Sequence, residues 1–65
     1  MRLLDTTVWS ETPEGVLVSK LGEHGVWHLI GDARGAFLAI AAGSALSEDL
    51  FEIGRQLIQL GLVSE

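Results

Sequence analysis

An α+β fold is predicted, a three-stranded antiparallel meander followed by two helices packed on one face, and three observations predict it. The first half of the chain consists of short β-branched and aromatic segments separated by Gly- and Pro-containing turns. After Gly31 the hydrophobic period changes from two to that of a helix. The last run, from Ser47 to Leu60, divides its apolar and polar residues cleanly between two halves of a helical wheel. A chain of 65 residues has room for one core, so residues 1–65 are expected to form a single domain.

Thr6-Thr7-Val8-Trp9-Ser10 opens the meander, with side chains that fit a pleated surface. Glu11-Thr12-Pro13-Glu14-Gly15 supplies the turn, proline fixing φ and glycine free to take a positive one. Val16 to Leu21 is the second strand, Gly22-Glu23-His24-Gly25 a four-residue hairpin loop, and Val26 to Ile30 the third strand. That loop pairs Leu21 with Val26. One face then holds Leu17, Ser19 and Leu21 with Ile30, His28 and Val26. The other sets Val18 against Leu29 and Lys20 against Trp27, the latter as a cation–π pair.

Asp32 is the expected N-cap of a helix over Ala33 to Ala42, closed by Gly43 as a left-handed cap. Arg34 carries its only charge after the cap, so this helix should be buried nearly all round. The second helix starts at Ser47, with Glu48 and Asp49 complementing its positive end. Leu50, Ile53, Leu57 and Leu60 form one apolar seam and Phe51, Gly54 and Ile58 an adjacent one. Glu52, Arg55, Gln56 and Gln59 occupy the remaining half. Gly61 ends the helix, and Leu62 folds back onto Leu57 as in a Schellman cap.

Composition limits function. No cysteine is present, so neither a disulfide nor a Cys-ligated zinc holds the fold together. Apolar content of 48% and a mean hydropathy of +0.37 take that role, and they exceed what so small a chain can hide. A partner surface is therefore expected. Nine acids against four bases give a net charge of −5 and a pI near 4.7. The bases Arg2, Lys20, Arg34 and Arg55 form no stripe, which argues against nucleic acid and against anionic membranes. Asp5 interrupts any signal-peptide core, and the apolar run Ala36 to Ala42 is far shorter than the roughly 20 residues of a spanning helix, so a cytoplasmic location is expected.

No catalytic constellation emerges, and the chain is expected to be neither an enzyme nor a cofactor carrier. His24 lies in a loop and His28 in a strand, so a shared metal is not expected; His28 should face Ser19. Gly31-Asp32-Ala33-Arg34-Gly35 at a helix start invites a phosphate, yet it lacks the Lys-Ser/Thr ending of a P-loop and Asp32 already places a negative charge there. Ser44 and Ser47 read as turn and cap.

Helices after a three-stranded sheet make a winged-helix-like arrangement, a shape often used on DNA. The exposed half of the last helix presents Glu48, Asp49, Glu52 and a single Arg55, which is wrong for a phosphate-lined groove. Strand edges and a wide apolar helix face are what the chain offers instead. An extended peptide can add to such an edge.

The strand Val26-Trp27-His28-Leu29-Ile30, the Gly-x-x-x-x-Ala-Phe-Leu-x-x-x-Ala-x-Gly pattern of Gly31 to Gly43 and the closing Phe-x-x-x-x-x-Leu-x-x-Leu-Gly-Leu-Val of Phe51 to Val63 together resemble the PqqD-like family. That family comprises the precursor recognition elements of ribosomally made, modified peptides. The closing helix also resembles the C-terminal domain of small partner proteins of multinuclear-iron TIM-barrel enzymes in peptide maturation. The resemblance spans nearly the whole chain and rests on hydrophobic patterns. It implies a winged-helix domain that captures a leader peptide as an added strand, between the third strand (Trp27, His28, Leu29, Ile30) and the last helix (Glu48 to Leu60). The leader's core would then be presented to a modifying enzyme. The family usually has three helices, and only Ser44-Ala45-Leu46 stands where the middle one belongs. That shortening either weakens the groove or leaves its wall to an enzyme partner.

Phe51, Arg55 and Ile58 lie along one margin of the last helix, matching a peptide with hydrophobic anchors and an acidic residue; Ile53 and Leu60 form the opposite margin. The expected partners are thus a precursor leader peptide and a maturation-enzyme subunit, with self-association when the chain is isolated. A small structural subunit or homodimer that uses its apolar edge is the alternative, and a winged-helix DNA binder a third.

Overall fold

The computed structural model describes residues 1–65. Eight short elements follow in order: β1 (Arg2–Leu3), β2 (Thr7–Glu11), β3 (Gly15–Lys20), β4 (Val26–Ile30), α1 (Gly31–Ala41), a 3-10 turn (Glu48–Leu50), α2 (Phe51–Gln59) and β5 (Val63–Ser64). The architecture is the α+β one expected, an antiparallel sheet of order β2-β3-β4 followed by two helices. A two-stranded ribbon adds to it: β1 pairs β5 through Arg2↔Ser64 and Leu3↔Val63. Two-residue strands carry no periodicity, so the pattern held no trace of this ribbon.

Pairing partners share a face, and the ladder sorts the sheet into two. The inner face holds the rows Trp9–Val18–Trp27 and Glu11–Val16–Leu29, with Thr7 beside Lys20. Phe37, Ala36 and Ile40 of α1 cover it, joined by Leu57 of α2 and by Leu62 and Val63, as one buried cluster. Trp9 meets the Phe37 ring edge to face at 5.4 Å. The outer face holds Val8–Ser19–Val26, Ser10–Leu17–His28 and Gly15–Ile30.

The β3–β4 register differs from the expected one by two residues. Ser19, not Leu21, faces Val26, and His28 sits opposite Leu17 rather than Ser19. The cause is a turn one step earlier than the glycine pair suggests. Glu23 N–H donates to Lys20 C=O, and Gly22 at φ 85° takes the third position of a type II turn, which requires positive φ. Leu21 is thereby lifted out of the ladder. Because the slip is an even number, each remaining side chain keeps its face. Lys20 Nζ still lies 5.7 Å from the Trp27 ring centroid, across a diagonal.

Gly15 does not use a positive φ. Its backbone runs so close to β4 that a Cβ would overlap the Leu29 carbonyl oxygen, so proximity alone demands glycine there. The turn is closed by Thr12, whose N–H donates to Gly15 C=O at 2.8 Å and whose Oγ1 accepts from Gly15 N–H at 3.0 Å.

Both helices begin otherwise than expected and end as expected. Gly31, at φ 59°, turns the chain from β4 into α1 without a loop, so Ile30 is the N-cap. Asp32 falls within the first turn and makes no side-chain cap, although its charge still favours that end of the dipole. The last helix is split, its first residues Glu48–Leu50 being wound as a 3-10 turn before α2. Ser47 caps neither with its side chain. At the other ends Ser44 N–H donates to Ala39 C=O and Leu62 N–H to Leu57 C=O, each past a glycine at positive φ. These are Schellman closures, and Leu62 is fully buried beside Leu57.

Candidate functional site

The sheet order leaves β4 with one unpaired edge. Since the Leu29 carbonyl points at β3, and strand groups alternate sideways, the backbone N–H and C=O of Val26 and His28 point away from β3, on the edge that no strand pairs. Leu29 itself is buried in the core, 8% exposed, and offers nothing to that edge. Trp27 is half-buried on the inner face beneath Lys20. Ile30 is 57% exposed where the strand turns into α1.

His28 is exposed, with its Nε2 3.1 Å from Thr12 Oγ1. That hydroxyl also accepts from Gly15 N–H, and it donates to Nε2 or accepts from Nε2–H according to the imidazole tautomer. The contact ties β4 to the β2–β3 turn.

The helical side of the expected groove lies across α1, which packs on both β4 and α2. Phe51 opens α2 and is 49% exposed; Ile58 is half-buried against the core. Arg55 is exposed, with its guanidinium 4.0 Å from Glu52, a pair too solvated to hold it in place. Gln56 and Gln59 are exposed beside it. Glu48, Asp49 and Glu52 are exposed as well, so the 3-10 turn and α2 together present three carboxylates and one cation. Gly54 is buried, and its lack of a side chain lets Met1 and Leu46 close on the helix.

The structure therefore brings Trp27, Leu29 and Ile58 to the core and leaves His28, Ile30, Phe51 and Arg55 on the surface. The two surface depressions lie elsewhere. One, of about 180 Å³, is bounded by Arg2, Leu3, Leu4 and Asp5. The other, of about 260 Å³, opens on the outer face of the sheet among Val8, Leu17, Ser19 and Val26. Val26 belongs to both the free edge and this depression, and strand alternation once registered against β3 was the signal that could have found it.

No group of three His, Cys, Asp or Glu side chains lies close enough to hold a metal ion. No helix is long and apolar enough to cross a membrane. Comparison with protein-family models, with curated proteins and with solved structures finds no match.

Proposed function

We propose that this chain is a non-catalytic, cofactor-free cytoplasmic module that binds the leader of a ribosomal precursor peptide and presents it to a modifying enzyme. The observation that carries the reading is the open edge of β4, where the backbone groups of Val26 and His28 have no partner in the sheet. Phe51, half exposed at the start of α2, supplies an apolar anchor point, and Arg55 a cation beyond it. The three exposed carboxylates of the 3-10 turn and α2, against one cation, speak against duplex DNA, whose binders neutralise phosphate with Lys and Arg.

Peptides encoded beside the gene for this chain are the probes. Titration of labelled peptide should give saturable binding. Phe51→Ala should cost about 2 kcal/mol or more, Arg55→Ala less, and Gln59→Ala almost nothing. Amide exchange provides the second readout. The Val26 and His28 amides should slow on peptide addition while those of Trp27 and Leu29, already turned to β3, stay unchanged. Unaltered exchange at Val26 and His28 would end the strand-addition reading.

A further inference from the structure

The outer face of the β2–β3–β4 sheet departs from the usual polar-out arrangement of a half-buried antiparallel sheet. Its ladder positions are Val8, Ser10, Gly15, Leu17, Ser19, Val26, His28 and Ile30. The two formally charged ladder residues, Glu11 and Lys20, are both on the inner side. On a chain of net charge −5 this is a surface without a carboxylate or ammonium, and Val8, Leu17, Val26 and Ile30 are each at least 39% exposed on it.

The relief of this face complements itself. In one row the short Ser19 lies between Val8 and Val26, which makes the floor of the 260 Å³ depression. In the next row Leu17, longer than its neighbours Ser10 and Ser19 and a wall of the same depression, is the knob beside His28. Knob and hollow are two residues apart on the same strand, hence about 7 Å apart on the same face.

We infer that this face receives a second copy of the chain, packed sheet on sheet about a two-fold axis that lies between the sheets and runs across the strands, midway between Leu17 and Ser19. Rotation about that axis sets Leu17 of each copy over Ser19 of the other. It also sets each Val26 over the other copy's His28 and each Val8 over the other copy's Ser10. The contact is isologous, so every knob fills an identical hollow and nothing is left to propagate a filament. Aligned sheets pack about 10 Å apart, which matches a leucine reaching down to a serine. Charge favours the same occupant. Two acidic chains repel wherever carboxylates meet, and this face lets them approach without any such meeting. Strands of five and six residues make a small interface, so the dimer is reversible.

Sedimentation velocity of the whole chain, from low micromolar to submillimolar concentration, tests the inference. The wild type should pass from monomer to dimer as concentration rises; a monomer throughout would overturn it. Leu17→Lys alone and Ser19→Asp alone should each remain monomeric. Their equimolar mixture should recover a dimer, because the introduced ammonium of one chain then meets the introduced carboxylate of the other. Circular dichroism establishes that each variant is folded, and Val26→Lys, at a 63% exposed position, is a further single variant that should remain monomeric and takes no part in the mixture. A dimer that persists in Leu17→Lys, or folded variants that fail to associate on mixing, would place the contact elsewhere. The axis leaves the open edge of β4 uncovered, so peptide binding by a monomeric Leu17→Lys is measured separately and can fail or succeed on its own.

Discussion

On the inner side of the three-stranded sheet Val16 and Val18 have no exposed surface, and Trp9 and Trp27 flank Val18 beneath α1. On the outer side Val8 and Val26 flank Ser19 and keep half or more of their surface in water. Residue type does not separate the two faces, since valine and leucine occur on both. What separates them is α1, whose Phe37, Ala36 and Ile40 bury one face only. Apolar residues on a covered face are explained by stability. The same residues on an uncovered face do nothing for an isolated chain, and they are what the proposed second copy covers.

The comparison breaks most severely at the cover. Phe37 is fully buried and touches the Trp9 ring, so Phe37→Ala removes an aromatic contact and leaves a cavity under the sheet. A loss on the order of 3–5 kcal/mol is expected, against a total of roughly 5–15 kcal/mol for a domain. Urea unfolding should show a midpoint near zero denaturant or a chain already unfolded. A loss below about 1 kcal/mol would mean that α1 does not hold the inner face closed.

Gly15→Ala comes next. The added methyl points at the Leu29 carbonyl oxygen, which is backbone and cannot swing aside. Strand β4 must then move from β3, at a cost of about 1–3 kcal/mol. The effect should reach the candidate edge, because β4 carries it: amide exchange at Trp27 and Leu29 should speed up more than at residues of α2. Uniform acceleration would show that the strand is not the part that yields.

How much of this was legible in the sequence differs from element to element for physical reasons. Strand alternation and the helical wheel report which side chains go together, and both were readable: Val18 and Leu29 on one face, Leu57 under α2, Leu62 against Leu57. Register was not readable to better than two residues, because either Gly22 or the Gly22–Gly25 pair could have made the turn, and only the Lys20–Glu23 hydrogen bond decides between them. The β1–β5 ribbon was invisible, its pairing being set by tertiary position alone. Asp32 resembled a cap by type, and Gly31 displaced it by starting the helix two residues early. Of the candidate site, the edge strand was legible as a strand. Which of its residues face outward waited on the Leu29 carbonyl, and this shifted the open backbone groups to Val26 and His28.

The finest test uses one substitution twice. Val18→Thr and Val8→Thr exchange the same methyl for the same hydroxyl in adjacent strands, with little change in volume or β-propensity. At position 18 the hydroxyl is buried between Trp9 and Trp27, where a partner is hard to find, and an unsatisfied buried hydroxyl costs about 1–3 kcal/mol. At position 8 it stays in water, and stability measured at a concentration where the chain is monomeric should change by no more than about 0.5 kcal/mol. The outer face nevertheless has something to lose. In the dimer Val8 lies over the other copy's Ser10, so Val8→Thr wets the rim of the hollow that receives Leu17 and should shift the monomer–dimer midpoint upward without shifting the unfolding midpoint. Denaturant titration and sedimentation of the same two variants read the two quantities separately. If Val8→Thr destabilised the monomer as much as Val18→Thr, the outer face would already be covered within one chain, and the distinction between the faces would fail.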